Sequence, residues 1–308
     1  MKKWIVALSG SMLVVLLIAS FVYVRTPNDV QNGLNAENKA HKSNIVESET
    51  SEKLYAEETI DYALAENQLY ITFNKGKEWI EVPMKQNPLI NDRGSDKGEL
   101  ADGSYLLSEE RVAFLSTKEI ANPVGQLWVN YSLDQGKTWH ESFVVETFLG
   151  NRFWKLDFLD DQFGYLITTG EKVVGQEIIY VYITKDGGQS WQSATDEPLD
   201  TNLIAAGGFI DTKIGFLSVN HINPTEPTLL VTRDTGKTWD ASVIEVPEEY
   251  HEIFVAAEMP YIEDDHLAVL INQGPNGDYK GAKVKGKFIS TDQGATWHFS
   301  TEVEVDEY

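Results

Sequence analysis

The chain has 308 residues, a formal charge of −23 and no cysteine. Its length holds one large all-β domain or two smaller ones, and the missing cysteine excludes a disulfide framework, a thiolate metal site and a thiol nucleophile. The acidic balance speaks against nucleic acid as a ligand, which needs a basic stripe, and against docking on anionic lipid headgroups.

Residues 1–25 read as a targeting segment. Lys2 and Lys3 precede an uncharged apolar run, Trp4 to Val24, long enough at about 1.5 Å per residue to cross a hydrocarbon core of about 30 Å. The basic end stays in the cytoplasm by the positive-inside bias. An uncleaved signal anchor is therefore expected: a single-pass cell-membrane protein with its C-terminal domain extracytoplasmic. Cleavage near Ile18-Ala19-Ser20, with secretion, is the alternative. Residues 26–55, rich in Asn, Glu, Ser and Lys and without an aromatic before Tyr55, are expected as a disordered tether, because such composition buries too little surface to offset ordering entropy.

From residue 56 onward one phrase recurs: hydroxyl, any, Asp, any, Gly, any, hydroxyl, Trp. It stands at 132–139, 184–191, 232–239 and 290–297, and a worn copy at 72–79 carries Asn74 in place of Asp. Its constant residues are Asp134, Gly136 and Trp139, then Asp186, Gly188 and Trp191, then Asp234, Gly236 and Trp239, and last Asp292, Gly294 and Trp297. Each copy sits between β-rich runs, which places it at a hairpin turn. There the carboxylate can collect hydrogen bonds from the loop's own N–H and hydroxyl groups. The Gly takes a backbone angle other residues resist, and the Trp plugs the layer below. These are structural duties, so the motif carboxylates are not catalytic candidates.

The phrase is the Asp-box or BNR repeat, and residues 56–303 resemble the Asp-box β-propellers. That group includes sialidases, sortilin-type receptor domains, some glycoside hydrolases and photosystem II stability and assembly factors. The resemblance implies an all-β propeller and says almost nothing of activity. Motif spacings of 60, 52, 48 and 58 residues suit blades of about four short strands. A second phrase, Leu156–Leu166 and again Gly208–Leu217, reads as first strand, turn, second strand. Full units are expected at 99–146, 152–197, 204–246 and 253–303, with room for three strands at 56–83. Five blades with the first incomplete is the expectation, and six with one eroded the alternative.

In such a ring the Asp-box turns lie on one face. The opposite face gathers the loops Thr117–Gln126, Thr168–Glu177, Val219–Pro227 and Asn272–Gly286. It also gathers the links Met84–Leu100, Glu146–Trp154, Ser193–Leu203 and Pro247–Ile253. Within these, Arg93, Arg152, Trp154, His221, Tyr250, His251 and Tyr279 are the candidate ligand residues: a carboxylate-pairing fork, aromatic plates and polar rings for a sugar or an acidic peptide. The resemblance to sialidases implies a tyrosine nucleophile and three arginines. The Phe/Tyr-Arg-Ile-Pro phrase is absent, and of Arg93, Arg111, Arg152 and Arg233 only Arg93 and Arg152 are suitably placed. A glycoside hydrolase using a carboxylate pair on the face opposite the Asp boxes is the alternative function, with Glu171, Glu177, Glu248, Glu249, Glu263, Asp264 and Asp265 at hand. Asp160-Asp161 and Glu263-Asp264-Asp265 match no calcium loop, and the six histidines show no zinc spacing. The expectation is thus a monomeric, non-catalytic module without cofactor or metal, whose partner is an envelope protein or a cell-wall glycan.

Overall fold

Short runs of β-branched and aromatic residues bounded by Gly, Asp and Asn turns form strands because such side chains pack on a pleated surface. The computed structural model describes residues 41–42, 45–46, 56–66, 68–90, 98–121, 124–148, 152–173, 176–274 and 277–304. The expected anchor at 1–25 lies outside the described residues, among which no helix is long and apolar enough to cross a membrane.

Five sheets, antiparallel except for one outer strand of the fifth, follow one another along the chain. The first holds Asp61–Ala65, Gln68–Thr72 and Trp79–Glu81, with Ile45–Val46 on its outer edge. The second holds Val112–Ala121, Val124–Ser132 and Thr138–Phe148; Asn87–Pro88 and Tyr105–Leu107 line its inner edge and His41–Lys42 its outer one. The third runs Trp154–Phe158, Gly164–Val173, Gln176–Thr184, then Gln192–Ser193 and Leu199–Thr201 side by side along one edge. The fourth runs Leu203–Phe209, Gly215–Asn220, Thr228–Thr232 and Asp240–Ala241. In the fifth, Tyr261–Glu263 and Ala256–Ala257 flank His266–Asn272, followed by Val284–Ser290 and Thr296–Glu304.

Two assignments differ from the expectation. Val243–Glu245, placed in the fourth unit by its position, runs parallel to Thr296–Glu304 on the outer edge of the fifth sheet. Four residues of the expected tether, His41–Lys42 and Ile45–Val46, lie as strand beside Thr138–Trp139 and Trp79–Ile80.

Sequence neighbours in a strand point to opposite faces, and both faces of the middle sheets are buried. Phe216 joins Val269, Phe288 and Trp297 of the fifth sheet, while adjacent Leu217 joins Tyr165, Ile167 and Val181 of the third. Leu69 and Ile71 meet Phe114 and Trp139 between the first and second sheets. Leu127 and Val129 meet Trp154, Leu156 and Trp191 between the second and third. A row of cores, one per sheet interface, holds the domain together.

Each Asp box performs the predicted work. In the second sheet Asp134 Oδ1 accepts from the Thr138 N–H at 2.8 Å and from the Ser132 hydroxyl at 2.9 Å, and Oδ2 accepts from the Thr138 hydroxyl at 2.7 Å. The Gly136 N–H donates to Ser132 Oγ and the Trp139 indole to the Gly136 carbonyl. The boxes around Asp186, Asp234 and Asp292 repeat the carboxylate bonds to the hydroxyl residue before and the N–H after. In the worn copy Asn74 keeps the backbone bond to Glu78 N–H and donates its own amide to Glu78, so donor and acceptor have traded places. The boxes also lean backwards. Gly136 lies against Ile80, Gly236 against Ala194 and Gly294 against Phe216, each on the preceding sheet. Trp191 likewise donates to Ser142 of the second sheet.

Candidate binding groove

The six candidate ligand residues that lie among the described residues do not converge on one pocket. Arg93 lies outside the described residues. Arg152 forks onto both oxygens of Glu177 and donates to the Ile204 carbonyl at 2.6 Å. Glu177 is buried and also accepts from the Ile204 N–H at 3.3 Å. The guanidinium thus bolts the third sheet to the fourth, and its fork is already occupied. Trp154 is buried too, packed on Phe148 with ring centroids 5.2 Å apart. It is inter-sheet core, not an open plate.

Tyr250 and Tyr279 do come together, edge to face at 6.2 Å, and both phenols donate to Glu302 Oε1, at 3.1 and 2.9 Å. Lys280 donates to the other oxygen. Sequence reading missed Glu302, because it comes from the last strand, far along the chain from both tyrosines. The Lys280 ammonium, then the Tyr279 phenol, hold the Glu302 carboxyl below the usual range, whereas desolvation and the Glu302 bond push the Tyr250 phenol up. Gln273, 7 % exposed, braces this loop by donating to the Tyr279 and Val284 carbonyls.

His221 and His251 belong elsewhere. His221 bonds Thr228 at 3.2 Å, and His251 meets the Val246 carbonyl at 2.9 Å. Thr228, Val246 and His251 all line a cavity of about 840 Å³ between the fourth and fifth sheets. One wall is the segment 225–229, and the other is formed within 241–246; His251, Glu252 and Phe254 close the base. The walls diverge because the chain changes sheets there. The Ser242 N–H donates to the Leu229 carbonyl of the fourth sheet at 2.8 Å, and the next N–H, of Val243, donates to Ala295 in the fifth at 2.9 Å. Leu229, Ile244 and Phe254 give it an apolar floor, and Glu226, Glu245 and Glu252 contribute carboxylates. Two predicted segments, Val219–Pro227 and Pro247–Ile253, border this cavity. Its three carboxylates were not singled out in the sequence, where they are lost among many acids.

Several of the other predicted carboxylates are already engaged. Glu263 binds Lys287 and His266, and Asp265 also meets His266. Asp160 caps its own turn by accepting from the Gln162 and Phe163 N–H groups, as Asp211 does from Lys213 and Ile214. Arg111 is buried, donates to the Gly187 carbonyl at 2.8 Å and lies 3.8 Å from the Phe158 ring centroid. Among the described residues no trio of His, Asp or Glu is disposed to hold a metal. Every carboxylate displaced from its ordinary range there is displaced downward, by hydrogen bonds in the Asp boxes and at Asp160, and chiefly by cations at Glu263 and Glu302.

Successive antiparallel sheets packed face to face, each with a box-type turn before its outer strand, define a β-propeller chain of the Asp-box class. The BNR/Asp-box repeat model matches residues 131–141 and 288–299, so the chain carries Asp-box repeats. A sequence comparison with curated proteins finds no match. Among solved structures, the chain is similar to the α-L-arabinofuranosidase Arb93A from Fusarium graminearum, at 18% identity over 67% of each chain and a TM-score of 0.41. It is also similar to an α-L-arabinanase from Penicillium chrysogenum bound to arabinobiose, at 13% identity over 85% of this chain and 71% of that one, with a TM-score of 0.41. A third likeness is to YCF48 bound to D1 peptide, at 14% identity, 80% of this chain and 65% of that one, TM-score 0.39.

Proposed function

We propose that this protein is a membrane-anchored, five-bladed extracytoplasmic propeller that binds a client in the cell envelope, a protein or a wall glycan, without chemistry of its own. The first blade takes its missing strand from the tether, through Ile45–Val46. Residues 1–25 form the anchor, and the remainder of 26–55 sets the reach of the domain.

The observation that carries the non-catalytic reading is the condition of the carboxylates. A glycosidase needs one carboxyl kept protonated near neutral pH and a partner at a fixed separation. Here Glu177, Glu263 and Glu302 are each neutralised by a structural cation, Arg152, Lys287 and Lys280. The displaced carboxylates move the wrong way for a general acid. The groove between the fourth and fifth sheets, with hydroxyls, carboxylates and an apolar floor, suits recognition instead.

The test is turnover. The full-length protein in detergent is offered fluorogenic arabinosides, xylosides, galactosides, glucosides and sialosides. No release above the detergent blank is expected. Release that disappears in Glu226→Gln or Glu252→Gln would overturn the proposal.

A further inference from the structure

Outer sheet edges in this molecule are covered by strands recruited from elsewhere. Ile45–Val46 lies beside Trp79–Ile80, His41–Lys42 beside Thr138–Trp139, and Val243–Glu245 beside Thr296–His298. The third sheet's Gln176–Thr184 is covered by two short strands in succession. The fourth sheet gains no such recruited strand among the described residues. Its five-residue strand Thr228–Thr232 has only Asp240–Ala241 beside it, paired at Val231 and Leu230. The residues that would have continued that cover, Val243–Glu245, have crossed to the fifth sheet.

The uncovered end of that strand, entered through Pro227 after bends at Thr225 and Glu226, forms one wall of the groove. Because the Leu229 carbonyl faces the outer side, toward Ser242, the Pro227 carbonyl two residues earlier faces the same way. Proline has no N–H, so this position offers an acceptor without a donor. That arrangement discourages pairing with another copy of the same edge but accepts an N–H from an incoming chain. Around it stand Glu226, Glu252 and Glu245, the last with one oxygen on His298 Nδ1 at 2.9 Å, and no lysine or arginine lines the groove. An occupant must therefore be extended, able to donate from its backbone, and positively charged.

We propose that the fourth sheet is completed by an extended, Lys- or Arg-bearing segment of a partner protein, added as a strand along 227–229 with its cations among Glu226, Glu245 and Glu252. This rests on the reading of the chain as a binding module and gives its partner a chemistry. Strand addition supplies affinity through main-chain bonds, and side-chain complementarity supplies the choice of partner.

The probe is a labelled, end-blocked nonapeptide of alternating Lys and Val, titrated into the full-length protein in detergent. Anisotropy reports binding, and hydrogen exchange locates it. Exchange at 227–229 should slow at least about tenfold on binding, and the triple variant Glu226→Gln/Glu245→Gln/Glu252→Gln should weaken binding at least about tenfold, with salt acting in the same direction. The triple variant Glu57→Gln/Glu58→Gln/Glu110→Gln removes the same charge from exposed sites on the first two sheets and should change binding less than about twofold. If the groove triple fails to keep the wild-type thermal midpoint, Glu226→Gln alone carries the comparison. Equal weakening by both triples would overturn the proposal. So would equal binding of a peptide N-methylated at alternate residues, which keeps the cations but cannot pair as a strand. Protection of 227–229 that grows with protein concentration alone, together with a sedimenting dimer, would assign the edge to a second copy and likewise overturn it. Turnover of a glycoside would sink the binding-module reading through a different measurement, so the two failures are distinguishable.

Discussion

Arg152→Ala separates a structural guanidinium from a ligand-binding one. In the fold its fork satisfies Glu177, whose side chain is 1% exposed while that of Arg152 is 37% exposed. Truncation leaves a buried carboxylate with the Ile204 N–H, 3.3 Å away, as its remaining donor. Breaking a fully buried pair costs about 3–5 kcal/mol, mostly the penalty of the stranded charge. Solvent already reaches the arginine and can reach further once it is gone, so a loss of about 2–4 kcal/mol is expected. The assay is urea unfolding followed by tryptophan fluorescence, with the slope checked for constancy so that midpoints report stability. Glu177→Gln should cost about 1–2 kcal/mol, and Arg152→Met/Glu177→Leu should return to within about 1 kcal/mol of wild type, since a hydrophobic pair of similar volume needs no compensation. An Arg152→Ala protein within about 0.5 kcal/mol of wild type, the usual range for an inert surface change, would refute the bolt and return Arg152 to the list of open ligand forks.

Trp297 is fully buried against Phe216 whereas Trp239 is half-buried; Trp297→Ala should therefore cost about 3–5 kcal/mol and Trp239→Ala roughly half that, by the same urea assay. Gly294 has φ +80° with a would-be Cβ 2.4 Å from the Phe216 ring, while Gly281 has φ +69° and open space around it. Gly294→Ala should lose about 2–4 kcal/mol and Gly281→Ala about 1 kcal/mol, so equal losses would mean that only backbone strain counts. The Asp134, Asp186 and Asp234 carboxyls are pushed up by burial, but the bonds from Thr138, Ser190 and Thr238 and from the preceding hydroxyls outweigh it; Asp292 is lowered first by the Thr296 N–H. A depressed folded pKa gives stability that is present above the unfolded value of about 4 and lost as pH falls through the folded one. Acid unfolding below about pH 4 should therefore be shallower in Asp134→Asn/Asp234→Asn than in wild type, although that variant is less stable at pH 7; parallel curves would count against it.

The turns were legible in the sequence and the partnerships across sheets were not. The hydrogen bonds of each box carboxylate close within the motif itself, so the motif carries its own geometry. The Leu156–Leu166 and Gly208–Leu217 phrases did predict adjacent strands, paired Leu156 to Leu166 and Gly208 to Phe216. Arg152 and Glu177 both stand out in the sequence, yet nothing local says that a chain separation of 25 residues returns one to the other. Trp154 looked like an open plate because a link position was taken as surface; the neighbouring sheet covers it. Val243–Glu245 has the same alternating character as any fourth strand, and only the position of the next sheet decides which edge it joins. Tyr250 and Tyr279 meet on Glu302, which a repeat count files as the end of a blade.

Because the box turns rest on the sheet made before them, the molecule has a direction. Trp139 seats among Leu69 and Ile71, Trp191 reaches Ser142, and Trp297 leans on Phe216. A nascent chain can thus lock its units in the order of their synthesis, each newcomer finding its socket already built. Truncation from the C-terminus should shorten the array, whereas removing an early unit would take away the seat of the next unit's tryptophan.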